Sequence, residues 1–256
     1  MPQLEIEIVP CLSDNYAYLV RDPGEDFCAI VDPSEAGPVR TVLEARGWRL
    51  THILNTHHHP DHTGGNAELK AEYGAKVVGP GKDRARIPAL DEGVTEESTF
   101  ALGSHKARVL EIPAHTRAHI AFAFEEDDAV FTGDTLFAMG CGRLFEGTPE
   151  MMWQSLSKLM TLADSTRVYC GHEYTLNNGR FALTLEPGNQ DLQTRMREVE
   201  SLRASGAPTI PSNIGLEKRT NPFLRPQSAE IRRTLNMADG GDVAVFGEMR
   251  GRKDRF

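Results

Sequence analysis

The sequence has few cysteines, and no two of them lie close together. Its four are Cys11, Cys28, Cys141 and Cys170, and none belongs to a Cys-x-x-Cys motif. A chain of 256 residues can bury a large core without disulfide bonds, so the cysteines do not indicate a disulfide scaffold. We therefore expect reduced thiols, as in a cytoplasmic protein.

Long hydrophobic runs are also missing. No apolar stretch approaches the about 20 residues of a membrane-spanning helix. Residues 1–5, MPQLE, lack the basic segment followed by an apolar one that marks a signal peptide. We expect a cytoplasmic protein that has no membrane partner and is a monomer.

The chain carries no excess of positive charge, because its net charge is −9. Phosphate backbones demand a basic surface, so this balance argues against nucleic-acid binding. The length allows one large domain or two smaller ones. The sequence contains no internal repeat, low-complexity tract or long linker.

Histidine is concentrated in one stretch, residues 56–62, which read THHHPDH. His57, His59, Asp61 and His62 offer imidazole and carboxylate groups, which bind zinc-like ions well. A helix turns successive side chains by about 100°, and a strand would send His62 to the opposite face from the others. We therefore predict a tight loop wrapped around metal, and the alternative is a solvent-facing histidine loop.

Further candidate ligands follow predicted strands. The strand 52–55 leads into the metal loop, and a helix over Asn66 to Tyr73 comes after it. His115 lies three residues after a strand that ends at residue 112, while Asp134 and His172 closely follow strands that end at residues 132 and 170. Because α/β sheets place their sites at the carboxyl ends of strands, we expect these side chains to converge.

Seven ligands are too many for one tetrahedral ion. They suit two ions, which lie roughly 3.5–4 Å apart in dinuclear hydrolytic sites. We predict that Asp134 bridges the two ions and that each ion has three further ligands. These two sets are His57, His59 and His115 for the first ion, and Asp61, His62 and His172 for the second.

Three polar residues have less certain roles. Asp32 either accepts a hydrogen bond beside the metal loop or is simply a turn residue before Pro33. His58 is expected to point away from the metals. His119 lies four residues after His115 and is a candidate neighbour of the ligands.

The second part of the chain has a different pattern. Helices are predicted over residues 178–185, 190–204, 229–235 and 243–249, and Arg219 to Leu224 is predicted to be extended. None of these segments contains a ligand cluster. We predict a metal domain over residues 1–174 and a small α-helical domain over residues 175–256.

The ligand pattern resembles that of the metallo-β-lactamase superfamily, which implies an α/β fold, an αββα sandwich. Other motifs are similar to those of glyoxalase II, the hydroxyacylglutathione hydrolases, and the similarity runs nearly end to end. These motifs are Ser13-Asp14-Asn15-Tyr16, Gly133-Asp134-Thr135-Leu136-Phe137, Gly140-Cys141-Gly142-Arg143, Glu146-Gly147-Thr148, Gly171-His172-Glu173-Tyr174-Thr175, Glu186-Pro187-Gly188-Asn189, Arg219-Thr220-Asn221-Pro222-Phe223-Leu224 and Arg250-x-x-Lys253-Asp254-x-Phe256.

This resemblance implies a substrate, and it implies that the helical domain over residues 175–256 binds that substrate. The family hydrolyses glutathione thioesters, chiefly S-D-lactoylglutathione, to D-lactate and glutathione in methylglyoxal detoxification. Its glutathione-binding residues match Arg143, Tyr174, Arg250 and Lys253. Arg143 stands where lysine is common, which keeps the charge but changes the geometry. Phe145 stands where tyrosine is common, which removes a hydroxyl contact to the substrate.

Two bound ions would explain how the chain hydrolyses a thioester without a catalytic serine or cysteine. A water between two such ions loses its proton near neutral pH and can attack the carbonyl. Asp61 is the predicted catalytic residue that orients this water and takes its proton. The leaving thiol has a pKa near ~8.5, so it departs without a strong proton donor. We expect zinc, with iron or manganese left open.

Several other functions use the same scaffold. A lactamase or lactonase would not explain Arg250 and Lys253 near the C-terminus. A single-iron sulfur dioxygenase would need fewer metal ligands than the sequence offers. A nucleic-acid-processing enzyme conflicts with the acidic charge. A binding module with a structural metal should have a closed site with about four ligands.

Overall fold

The computed structural model describes residues 3–256, which combine strands and helices in an α/β fold. The chain divides into two compact units. The first runs to Glu111 and resumes over 118–133, and the second comprises 112–117 and 134–256. The two units are the parts of the chain that pack most densely within themselves. The domains predicted from sequence motifs, residues 1–174 and 175–256, stay a prediction.

The first unit contains a sheet whose six strands are adjacent in chain order. The strands are β1 (Glu5–Cys11), β2 (Asn15–Asp22), β3 (Phe27–Val31), β4 (His52–Leu54), β5 (Lys76–Pro80) and β6 (Glu92–Val94). β1, β2 and β3 pair antiparallel, and β3 to β6 pair parallel. The parallel strands bring the ends of β3 and β4, and the loops that follow them, to one edge of the sheet.

Helices connect the parallel strands, and the one over Asn66–Tyr73 was predicted from the sequence. They are α1 (Ala36–Arg46), α2 (Pro60–Thr63) and α3 (Asn66–Tyr73). Gly47 and Gly74 adopt left-handed conformations just after α1 and α3, where glycine carries no steric penalty. Val39 and Leu43 of α1 and Leu69 of α3 pack with Ile30 and Ile53 of the sheet in one buried apolar cluster.

Four more strands of the first unit form an antiparallel group. They are β7 (Thr99–Leu102), β8 (His105–Glu111), β9 (Ile120–Phe124) and β10 (Ala129–Gly133). Aromatic rings connect this group to the first sheet: Tyr18 lies 5.6 Å from Phe131, and His52 lies 5.6 Å from Phe100. The first unit is therefore a helix layer and two facing layers of strands.

The second unit is mostly helical. Its elements are β11 (Leu136–Phe137), β12 (Gly140–Cys141), α4 (Pro149–Leu159), β13 (Arg167–Cys170), α5 (Thr175–Leu185), α6 (Gln190–Ala204), β14 (Ser212–Asn213), α7 (Ile214–Thr220), α8 (Ala229–Leu235) and α9 (Asp242–Lys253). The Thr148 hydroxyl accepts a hydrogen bond from the Met151 amide, and Pro149 begins α4, as predicted.

Two local predictions are wrong. Residues 219–224 are not extended, because α7 runs to Thr220 and a 3₁₀ turn covers Pro222–Leu224. The Asn221 side chain accepts from the Phe223 amide, and this cap favours a turn over a strand. The metal stretch is not a loop throughout either, because Pro60 begins the short helix α2, which includes Asp61 and His62.

The cysteines match the expectation of reduced thiols. All four are buried, and within residues 3–256 none forms a disulfide. Burial raises the pKa of the Cys141 thiol to about 11 and that of the Cys170 thiol to about 12. Across the same residues, the helices are too short or too polar to span a bilayer.

Candidate metal centre

His57 and His59 lie between the end of β4 and the start of α2. His57 is fully buried, and its Nε2 atom lies 3.1 Å from Nδ1 of His59. Two imidazole nitrogens that bind one tetrahedral ion at 2.0–2.1 Å would be about 3.3 Å apart. The pair is therefore spaced like two ligands of the same ion.

Asp32 anchors this loop from the end of β3. Its carboxylate accepts hydrogen bonds from the Thr56 amide at 2.8 Å and from the Thr56 hydroxyl at 2.6 Å. It also lies 3.1 Å from Nδ1 of His62. A carboxylate on one ring nitrogen fixes the tautomer in which the other nitrogen, Nε2, can bind a metal. Asp32 also has φ 49°, so both interpretations of this residue, acceptor and turn, are correct.

Asp61 is held by a residue that the ligand pattern does not reveal. The side-chain amide of Asn15 donates to the Asp61 carbonyl at 3.0 Å and to its Oδ2 at 3.2 Å. Oδ2 also lies 3.7 Å from Nε2 of His62. Asn15 belongs to the Ser-Asp-Asn-Tyr motif of the family resemblance, which was the only signal for it in the sequence.

His119 packs on the ring of His57, and Gly133 lies beside Thr56 and His119. The His119 ring stacks on the His57 ring with centroids 4.6 Å apart. Gly133 has φ 47°, and a Cβ there would lie 2.3 Å from the Thr56 hydroxyl. A larger residue at the end of β10 would be strained and would clash with Thr56, so this position requires glycine.

In the second unit, Asp134 lies between two imidazoles. Its Oδ2 atom is 3.4 Å from Nε2 of His115 and 3.4 Å from Nε2 of His172. Each 3.4 Å separation is close to that of two ligands of one ion, so this oxygen could share an ion with either histidine.

Neighbouring groups orient both of these histidines. Nδ1 of His115 lies 3.0 Å from the Arg143 carbonyl, which leaves Nε2 facing Asp134. A Cβ on Gly142 would lie 1.9 Å from the Asp134 carbonyl, so this position also requires glycine. The ring of His172 stacks on that of Tyr174 with centroids 4.6 Å apart and an interplanar angle of 3°.

The donor groups fit divalent metal ions. The first unit brings together His57, His59, Asp61 and His62, and the second brings together His115, Asp134 and His172. All seven offer imidazole nitrogen or carboxylate oxygen, the ligands that zinc, iron and manganese share. In each unit a histidine has an orienting partner, Asp32 for His62 and the Arg143 carbonyl for His115, as metal-binding histidines typically do. His58 is turned toward Asp83, as its prediction requires.

The predicted glutathione-binding residues differ in exposure. Arg143 and Tyr174 are exposed, whereas Arg250 is buried. Arg250 Nη1 donates to the Cys141 carbonyl at 2.7 Å, and its Nη2 pairs with Asp254 at 3.1 Å. One role of Arg250 is therefore structural, which the sequence did not indicate.

Lys253 lies on α9, one turn after Arg250. Its ammonium group donates to Asn177 and lies 5.0 Å from the centroid of the Phe256 ring. Burial, together with the positive charges of Arg250 and Arg143, lowers the pKa of Lys253 to about 8. A lysine with this pKa is a cation at neutral pH that titrates in the mildly alkaline range.

Comparison with known proteins identifies two family regions. The model of the metallo-beta-lactamase superfamily matches residues 13–172, and that of the hydroxyacylglutathione hydrolase C-terminus matches residues 173–256. A curated hydroxyacylglutathione hydrolase of Methylococcus capsulatus is 56% identical over 253 residues, which are 99% of each chain.

Solved structures agree on the fold. The BLEG-1 B3 metallo-beta-lactamase has a TM-score of 0.68 at 21% identity, and the match covers 86% of this chain and all of that one. The protein TTHA1623, solved in a di-iron-bound form, has a TM-score of 0.59 at 26% identity over 82% of this chain and 95% of that one. The predicted metallo-β-lactamase fold with a helical C-terminal region is confirmed. The chain belongs to the hydroxyacylglutathione hydrolase family of the metallo-β-lactamase superfamily.

Proposed function

We propose that this chain is a thioester hydrolase that cleaves glutathione thioesters, chiefly S-D-lactoylglutathione, to D-lactate and glutathione. The observation that carries the proposal is the match of both family regions along the whole chain, together with 56% identity to a hydroxyacylglutathione hydrolase. The C-terminal match sets it apart from the lactamases, which share the fold.

The seven predicted ligands are the proposed metal site. His57, His59 and His115 would hold one ion, Asp61, His62 and His172 would hold the other, and Asp134 would contribute to both. The spacing of His57 and His59 and the position of Asp134 between two imidazoles support this assignment. When bound, two divalent ions would supply a hydroxide at neutral pH and polarise the substrate carbonyl.

Asp61 is the proposed catalytic residue. Its carboxylate would orient the attacking water and accept the water's proton. Asn15 supports this role, because its amide donates to both the carbonyl and Oδ2 of Asp61 and so limits the rotation of the side chain. The leaving thiolate needs no dedicated acid, since its conjugate thiol has a pKa near ~8.5.

Arg143, Tyr174, Arg250 and Lys253 are the proposed substrate-binding residues. Glutathione has two carboxylates, and three of these side chains are cations. Arg143 and Arg250 both pair with Asp254, at 3.8 Å and 3.1 Å, and Asp254 follows Lys253 in the chain, so the three cations are close together. We assign substrate binding to residues 175–256 together with Arg143 and Tyr174.

Zinc is the proposed metal for both sites, with iron and manganese as alternatives. Imidazole and carboxylate donors accept all three, and the related TTHA1623 was solved with two irons. We also propose that the protein is a cytoplasmic monomer without membrane or nucleic-acid partners.

A substrate comparison tests the activity. Thioester absorbance is followed with S-D-lactoylglutathione, and parallel assays use a lactone and a β-lactam at the same enzyme concentration. We expect hydrolysis of the thioester alone. Hydrolysis of the lactone without the thioester would overturn the assignment.

A further inference from the structure

His58 lies between two proposed metal ligands but is turned toward a separate polar cluster. Its Nδ1 atom is 3.0 Å from Oδ2 of Asp83, and its Nε2 atom is 3.2 Å from Nη1 of Arg86. Arg86 also makes two bonds to Oδ1 of Asp83, at 2.9 Å from Nε and 2.5 Å from Nη2. Three side chains therefore form a closed ring of hydrogen bonds, which we call the His58 clamp.

The clamp allows His58 only one pattern of hydrogen bonding. A guanidinium group has donors and no acceptor, so Nε2 of His58 must accept from Arg86. Nδ1 then carries the proton and donates it to Asp83. With both ring nitrogens engaged, His58 has no lone pair left for a metal ion.

The clamp is also well placed to hold a ligand. The ring of His58 packs on the ring of His59, with centroids 4.8 Å apart and an interplanar angle of 64°. Asp83 is 5% exposed, which keeps its bonds out of competition with water. A fixed His58 ring therefore restricts the rotation of the His59 ring beside it.

We propose that Asp83 and Arg86 are positioning residues for the metal centre, acting through His58 on His59. The proposal rests on the proposed metal-dependent function. Residues that orient metal ligands typically change metal affinity by about 10–100-fold when replaced. Because the clamp acts through one intermediate ring, we expect the lower end of that range.

Metal release tests the proposal. Metal-loaded wild type, Arg86→Met, His58→Ala and the double variant are mixed with excess chelator, and the release of zinc is followed with a chromogenic dye. We expect release about tenfold faster from Arg86→Met and from His58→Ala. The double variant should release zinc no faster than His58→Ala, because Arg86 has no effect once His58 is gone.

Arg84→Met is the matched control, because the Arg84 guanidinium donates to the carbonyls of Leu90 and Asp91 and not to the clamp. This variant should release zinc at the wild-type rate. Arg86→Met at the wild-type rate, or additive effects in the double variant, would overturn the clamp. Nitrogen NMR of the metal-free wild type gives a second readout: we expect His58 with its proton on Nδ1, and a proton on Nε2 contradicts the proposal.

The outcome separates this inference from the proposed function. If wild-type protein binds no metal or hydrolyses no thioester, the proposed function fails. If wild type does both and the clamp variants retain zinc as wild type does, only the clamp fails.

Discussion

The charge of Lys253 should make substrate affinity depend on pH. With a pKa of about 8, Lys253 is about nine-tenths protonated at pH 7 and about one-tenth protonated at pH 9. A lysine with a lowered pKa is a cation below that pKa and loses its charge as the pH rises through it. The positive charge that we propose attracts a glutathione carboxylate is therefore largely lost between pH 7 and pH 9.

The size of the effect follows from the exposure of the group. Lys253 is partly exposed, so its ion pair with a carboxylate contributes about 1 kcal/mol. Loss of that energy corresponds to an increase in KM of about fivefold. Because Lys253 touches no proposed metal ligand, kcat should not change for this reason.

Initial rates of thioester hydrolysis, measured from pH 6.5 to pH 9.5, give KM and kcat separately. The matched variant is Lys253→Arg, whose guanidinium stays protonated throughout this range. We expect KM to rise around pH 8 in wild type and to rise less in Lys253→Arg. An equal rise in both proteins would refute the reasoning, because the titrating group would then not be Lys253.

Three further substitutions test the proposed roles. Asp134→Ala should lose metal and activity together, because one oxygen faces two imidazoles; an active variant with its full metal content would refute the bridging role. Arg250→Ala should raise KM with kcat little changed, and it should lower the free energy of unfolding by about 1–3 kcal/mol, because the buried Cys141 carbonyl loses its donor. Unchanged KM would remove Arg250 from the substrate site. Phe145→Tyr should lower KM by a few fold, since it adds a hydroxyl donor worth about 1 kcal/mol, and titration calorimetry with glutathione checks the same change in affinity.

Much of the fold could be predicted because local signals agree with tertiary packing. The helices 66–73, 190–204 and 229–235 have the predicted bounds. Each has a terminal glycine or asparagine, or an apolar stripe, that marks its limits in the sequence. The prediction of an extended segment over 219–224 was wrong because the turn there depends on Asn221. The Asn221 side chain also donates to the carbonyls of Phe137 and Gly140, which are far away in the chain.

The grouping of metal ligands within each unit was predictable for a different reason. Strand ends meet at a sheet edge, so ligands that follow strands converge. The partners of those ligands were harder to predict. Asp83 lies 25 residues from His58 on a 3₁₀ turn, and no local pattern connects the two.

Arg250 shows where sequence reasoning reaches its limit. A basic C-terminus is usually solvated, and the spacing of Arg250 and Lys253 does not reveal that Arg250 is buried and Lys253 partly buried. Burial of Arg250 depends on the Cys141 carbonyl, which lies 109 residues away. The lowered pKa of Lys253 is equally invisible in the sequence, because it comes first from the partial burial of Lys253 and then from the charges of Arg250 and Arg143.

The central claim is that two ions act together in one hydrolytic site. Stripped protein is titrated with zinc while hydrolysis of S-D-lactoylglutathione is followed, and bound metal is counted at each step. We predict that activity reaches its maximum at two zinc ions per chain. Full activity at one ion per chain, or in the absence of metal, would contradict the account.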